Sequence, residues 1–232
     1  CVLRALKGCA IAPELRAAAD TPDGLCLVYR YLPGPAWSGD PAPVAQVLRK
    51  VHGLGLGLGL GPQAGAALRR VSSDPASLRA EGHRLLAETG AVAASLRDLV
   101  PPAARGPEGP ETVLHGDPVP GNIVLTETGA GTEARLIDWQ CPARGEAARD
   151  LAMFLSPAMQ VVNGRPPLDG PATAAFLAAY GNARATARLH SLRPLLSWRM
   201  ACYCAWKSAR GDRAYARGLE AELALLATLR EG

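Results

Sequence analysis

Apolar positions along the chain switch period several times, and each switch predicts an element. Residues 2 to 7 read as the last turns of a helix that stops near Gly8. The run LCLVYRYL at 25 to 32 reads as a strand, and the turn Thr21-Pro22-Asp23-Gly24 before it predicts a hairpin. Pro33, Gly34 and Pro35 then break the chain and predict a hinge between residues 1–34 and residues 35–232. Pro41 and Pro43 open a helix whose Val44, Val47, Leu48 and Val51 share a face, and it ends at His52 before Gly53. Asp74 and Pro75 suit the cap and first turn of one long helix carrying Leu78, Leu85, Leu86, Val92, Leu96 and Leu99. After an irregular linker at 101–110 come three short β runs: TVL at 112–114, NIVL at 122–125 and ARLI at 134–137. The TETGAGTE segment makes the last two a hairpin. From 146 onward the period is helical again, broken at Pro157, at Gly164 to Pro167, at Gly181 and at Gly211. A short helix there contains Phe176, Leu177 and Tyr180, and longer ones cover about 185–209 and 212–230. The expected class is α+β, with helices packed around a small hairpin-bearing region.

Composition narrows this little. The 232 residues are 48% hydrophobic and 5% aromatic, with alanine and leucine carrying the apolar share, which favours helices over sandwiches. Formal charge is +4, and the arginines are scattered, so neither a nucleic-acid arm nor a polybasic membrane patch is expected. Six cysteines lack a C-x-x-C pattern and predict buried reduced thiols; Cys202 and Cys204 point to different faces of one helix. With no signal peptide and no long uncharged apolar run, a cytoplasmic monomer or homodimer is expected. The glycine-alternating GLGLGLGLG at 53–61 lacks the lysine and hydroxyl of a phosphate-binding loop and follows a helix, so it reads as a surface connector.

The chemistry concentrates in HGDPVPGNIVL at 115–125 and LIDW at 136–139. Asp117, Asn122 and Asp138 fall at the ends of short β runs, an arrangement that suits a divalent metal holding nucleotide phosphates beside a catalytic carboxylate. Magnesium prefers oxygen ligands and is held through one or two carboxylates plus substrate phosphates. Asp138 and Asn122 could share such an ion across the hairpin, while Asp117, on the loop, could accept the proton of a substrate hydroxyl.

The combination H-G-D-x-x-x-x-N, hairpin, I-D-W, then Asp150 before an apolar helix resembles the phosphotransferase family that includes aminoglycoside phosphotransferases, choline and ethanolamine kinases, thiamine kinase and homoserine kinases. The resemblance extends from about residue 1 to 220. It implies a protein kinase-like fold of the aminoglycoside phosphotransferase and choline kinase type. Such a fold has a mostly helical C-terminal lobe, a small β-hairpin carrying the metal site, and here a remnant of the N-terminal lobe. It implies ATP and magnesium as cofactors, Asp117 as the catalytic residue, and Asn122 and Asp138 as metal ligands. His115 and Asp150 match positions that brace the family's catalytic loop. LVYRYLPG looks like its last N-lobe strand and hinge, where the backbone of Tyr29, Arg30 and Tyr31 would meet the adenine. VLRKVHGL looks like the helix with the family's Leu-His pair, which makes His52 a packing or bracing residue.

One departure stands out. The family's glycine-rich turn, its phosphate-contacting lysine and most of the partner helix precede the point matched by residue 1, and Lys7, at a helix end, is a poor substitute. The expectation is an active kinase whose start is missing from this sequence; the alternative is a nucleotide- or ligand-binding protein without turnover. The acceptor would be a small hydroxylated molecule: an amino alcohol, a sugar, a vitamin alcohol or an aminoglycoside. Trp198, Tyr203 and Trp206 could present an aromatic surface to a cationic head group or pack in the core. From residue 141 on there are twelve basic and seven acidic residues, which argues against a pocket for a polycation.

Overall fold

Side-chain caps mark the starts of four helices. In the computed structural model, which describes residues 2–56, 65, 67–90, 92–102, 108–129 and 131–231, the side chains of Asp74, Ser156, Asp169 and Asn182 each accept the third following backbone N–H. The helices are α1 (Val2–Ala5), α2 (Ala42–His52), α3 (Pro75–Ala87), α4 (Val92–Asp98), α5 (Ala148–Phe154), α6 (Pro157–Val162), α7 (Gly170–Tyr180), α8 (Ala183–Ser208) and α9 (Arg213–Glu231). The strands are β1 (Leu15–Thr21), β2 (Gly24–Tyr29), β3 (Arg69–Arg70), β4 (Glu111–Leu114), β5 (Ile123–Thr128), β6 (Gly131–Leu136) and β7 (Ala143–Glu146). Residues 57–61 of the glycine-leucine run, 103–107 of the linker, Ala130 of the hairpin turn and the side chain of Val92 lie outside the described residues.

Among the described residues three small sheets result: the antiparallel pairs β1–β2 and β5–β6, and a sheet in the order β3–β7–β4. The core joins Val44, Val47, Leu48 and Val51 of α2 to Phe154, Phe176, Leu189, Leu192 and Trp198. Trp198 is fully buried, its Nε1 donating to the Leu96 carbonyl at 2.7 Å, so it is core and not a ligand platform. Cys202 and Cys204 enter different apolar clusters, as their spacing requires.

Four expectations need correction. The long helix is two, α3 and α4: Gly90 turns left-handed at φ +74°, and Glu88 accepts from Trp206 Nε1 of α8 and from Arg210 just after it. Strand β2 ends at Tyr29 and not at 32, because its ladder with β1 ends at the Leu15–Tyr29 pair. Asn122 closes a 3-10 turn, Pro120–Asn122, and the strand begins one residue later. Cys26 and Cys141 are exposed, although no disulfide forms among the described cysteines. Strand β7 went unforeseen because ARGE shows no apolar alternation; it pairs Val113 with Arg144 and Leu114 with Ala143. A buried two-bond ion pair holds it in place, Arg188 donating to Glu146 at 2.6 and 3.1 Å.

The hinge residues dock as an irregular strand on β5. Leu125 N–H donates to the Pro35 carbonyl and Trp37 N–H to the Ile123 carbonyl, both at 2.9 Å. On the other edge, Leu136 N–H donates to the Ile11 carbonyl at 2.8 Å. The β5–β6 hairpin is therefore stitched on both sides to the chain flanking β1–β2. Leu25, Val28, Tyr29 and Tyr31 of that region remain exposed. Gly34 makes the docking possible: at φ +142°, a Cβ there would lie 1.9 Å from the Leu125 carbonyl oxygen. Gly34→Ala should destabilise the chain by about 2 kcal/mol or more, read as a lower urea midpoint; an unchanged midpoint would show that the hinge does not need this approach.

Candidate active site

Strand β4 delivers His115, Gly116 and Asp117 into a tight loop that the following turn folds back on itself. Val119 N–H donates to the Asp117 carbonyl at 2.9 Å. Asn122 Nδ2 donates to both that carbonyl and the Asp117 carboxylate, each at 3.0 Å. Asn163 at the end of α6 accepts from Gly121 N–H at 3.1 Å and fixes the turn. Gly116 sits at φ +87°, where a Cβ would come within 2.2 Å of the Cys141 carbonyl oxygen, so only glycine lets the segment after β6 close over the loop.

Beneath the loop lies Asp150, 1% exposed. It accepts from His115 N–H at 2.8 Å, from Gly116 N–H at 3.0 Å and from His52 Nε2 at 3.2 Å. Burial opposes its ionisation, but the hydrogen bond from His52, the electrostatic pull of the His52 and His115 rings and the His115 amide outweigh it and hold the carboxyl below the usual carboxylate range. His52 Nδ1 lies 2.9 Å from the Tyr180 hydroxyl, and the His52 carbonyl accepts from Thr112. Burial pushes the Tyr180 phenol up to about 12, so it stays protonated and can donate to the His52 ring. Four elements thereby converge on two backbone amides.

His115 is fully buried and packs edge-on against Trp139 at 4.6 Å between ring centroids. Its Nε2 lies 2.9 Å from the Ile137 carbonyl, which can only accept, and its Nδ1 takes Asp117 N–H at 3.3 Å. These contacts specify the neutral Nε2–H tautomer, and burial lowers the pKa of the ring, which favours the same state. The ring therefore ties Asp117 to the residue preceding Asp138.

Asp138 itself is exposed and adopts φ +59°, a left-handed backbone unusual outside glycine but tolerated by Asp and Asn. Among the described residues its carboxylate makes no hydrogen bond or ion pair. Burial pushes the Asp117 carboxyl up, and the Asp138 charge adds to the rise, while His115 and the Asn122 hydrogen bond pull part of the way back. Asn122, with its nitrogen held by Asp117, keeps its carbonyl oxygen available. Among the described residues no three His, Cys, Asp or Glu side chains gather into a metal cage. What stands ready is a pair of oxygen donors, Asn122 and Asp138, which fits a hard cation shared with a ligand's own oxygens.

Arg30, Tyr31, Leu32 and Pro33 line a cavity of about 530 Å³ together with Thr126 and Arg135 of the hairpin. Tyr29 is outside it, paired with Leu15 in the β1–β2 ladder. Lys7 reaches the same cavity. The remaining aromatics are structural. Trp37 packs edge-on against Phe154, and Trp139 Nε1 donates to the Leu136 carbonyl. Tyr203 and Trp206 do stack, but the guanidinium of Arg210 lies 4.0 Å from the Trp206 ring centroid, where a cationic head group would sit. Sequence reasoning missed Tyr180, which ends α7 without any motif around it, and the arginines that α5 and α8 turn inward.

The sequence profile of the phosphotransferase enzyme family matches residues 2–195. No curated protein matches the chain. Among solved structures, the choline/ethanolamine kinase family protein of Mesorhizobium loti is similar at a TM-score of 0.66 and 17% identity, over 100% of this chain and 78% of the other. The Plasmodium vivax ethanolamine kinase is similar at 0.66 and 14% identity, over 97% and 70%. A spectinomycin phosphotransferase in complex with ADP and spectinomycin is similar at 0.52 and 14% identity, over 96% and 76%. These likenesses give the fold: a protein kinase-like arrangement, about half helical with small sheets. Among the described residues no helix is long and apolar enough to cross a membrane.

The Asp150 brace has a pH signature. Because its folded pKa is depressed, its stabilisation is complete above the unfolded value of about 3.9 and is lost as pH falls through the lower folded value. Asp150→Asn should cost about 3–5 kcal/mol at neutral pH and should flatten the acid dependence of stability below about pH 4. Equal slopes for both proteins in acid urea titrations would rule this account out.

Proposed function

The chain belongs to the phosphotransferase enzyme family, and we propose that it moves the γ-phosphoryl group of ATP to a hydroxyl of a small molecule. The observation that carries this reading is the Asp117–Asn122 contact: one side chain orients the carboxylate and keeps an oxygen for a cation, with the unpaired Asp138 as the second donor. Phosphoryl transfer asks a protein for positioning and electrostatics more than for covalent chemistry. Asp117 accepts the proton of the acceptor hydroxyl as its oxygen bonds to the γ-phosphorus and the bond to the departing ADP breaks. Its raised pKa makes it a better proton acceptor than an ordinary surface aspartate. Asn122 holds that carboxylate in line with one hydrogen bond and the Asp117 backbone carbonyl with a second. Asn122 and Asp138 are the residues that would hold magnesium, which when bound supplies positive charge against the phosphate oxygens. The backbone of Arg30 and Tyr31, which line the cavity beside the hinge, suits the adenine, and Tyr29 contributes through the strand that positions them. His115, Asp150 and His52 keep the loop rigid and touch no reactant.

Three outcomes test this. Asp117→Asn should lower kcat by about 10²–10⁴-fold and leave ADP binding intact by calorimetry. Asp138→Ala should abolish the magnesium dependence of nucleotide binding. In wild type, activity is present above the raised Asp117 pKa and falls as pH drops through it, so the acid limb of kcat/KM should lie above about 3.9. Magnesium-dependent ADP binding without transfer to any hydroxyl compound would favour a binding protein over an enzyme.

A further inference from the structure

A second cavity, of about 290 Å³, opens between α3, α5 and α8, and its lining includes Gly116, the neighbour of Asp117, and Cys141. Its volume is close to the lower end of small-ligand pockets. Five arginines line it: Arg69, Arg84, Arg149, Arg193 and Arg199. The opposing carboxylates are fewer and already engaged. Asp150 faces His52 and the loop amides. Glu81 is shared by two guanidiniums, accepting from Arg149 at 3.1 Å and from Arg199. Glu222 is 1% exposed, accepts from the Ser156 hydroxyl at 2.7 Å and from Ala158 N–H at 3.2 Å, and is pushed by burial toward its neutral form.

Arg69 and Arg84 are exposed, and among the described residues Arg193, on α8, is the half-buried arginine of this lining with no paired carboxylate. Glu222 acts on it only at longer range. Half-burial strips part of the hydration of this guanidinium with no carboxylate beside it, a cost that a bound anion would offset. Its fork suits a planar carboxylate or a phosphate.

Resting on the phosphotransfer reading above, we propose that this cavity takes the acceptor, and that the acceptor is a hydroxyl compound carrying an anionic group. Arg193 holds the carboxylate or phosphate end, Arg149 and Arg199 supply further positive potential, and the hydroxyl points toward the catalytic loop. A quaternary ammonium or polyamine acceptor meets repulsion here, in keeping with the basic excess of the chain after residue 141.

The test uses the full chain with four probes: gluconate, glucose 6-phosphate, glucose and choline. Calorimetry should give about tenfold or tighter binding of the two anions over the neutral and cationic probes. Arg193→Gln should remove that margin and Arg193→Lys should keep most of it, with ADP affinity unchanged in both. The anions should also slow alkylation of Cys141. Phosphorylation assays with the same probes should then favour the anions. Choline or glucose binding as well as the anions, or anion binding indifferent to Arg193→Gln, overturns the inference whatever is phosphorylated. Arg193-dependent anion binding with no transfer to any probe leaves the anion site standing and overturns the phosphotransfer reading instead.

Discussion

One buried carboxylate sets the geometry on which the candidate active site depends. Asp150 receives the amides of His115 and Gly116 and is itself held by His52, whose ring reaches the Tyr180 hydroxyl. A charge this deeply buried is tolerable only when its lone pairs are filled. Here α2, β4, α5 and α7 each contribute a group. If α2 or α7 shifts, Asp150 loses a partner and the loop amides lose their acceptor. The helical packing of the chain and the position of Asp117 are in that sense one constraint.

The hairpin meets this scaffold from the other side. Strands β5 and β6 are bounded by the hinge at Pro35 to Trp37 and by Ile11 ahead of β1, so the turn at Asn122 and the bend at Asp138 are gripped at both margins. The two oxygen donors sit at adjacent ends of the hairpin, Asn122 just ahead of β5 and Asp138 just after β6, joined by the bond from Ile137 N–H to the Asn122 carbonyl at 2.9 Å. Their proximity follows from hairpin register and not from any contact between the side chains.

Much of this was legible in the sequence because it is written in short-range terms. The Asp74 cap, Pro43 in the first turn of α2, and Gly53 after its last are local signals, and they placed helices to within a residue or two. The H-G-D and I-D-W motifs also placed the carboxylates, since the spacing of a hairpin fixes which residues meet at its ends. What escaped was non-local. Glu88 meets Trp206 and Arg210, far along the chain. Strand β7 is held in its ladder with β4 and carries Glu146, which Arg188 meets from far along the chain, and nothing in ARGE announces that. Tyr180 and Arg193 acquire roles only from what α7 and α8 pack against.

The left-handed bend at Asp138 and the fixed tautomer of His115 have a joint mechanical consequence. A flat five-membered ring, clamped at one nitrogen by Asp117 N–H and at the other by the Ile137 carbonyl, acts as a strut of constant length. Thermal drift of the loop is passed to the hairpin end, so Asp117 and Asp138 travel together and their mutual spacing survives motions that would separate two independently anchored side chains.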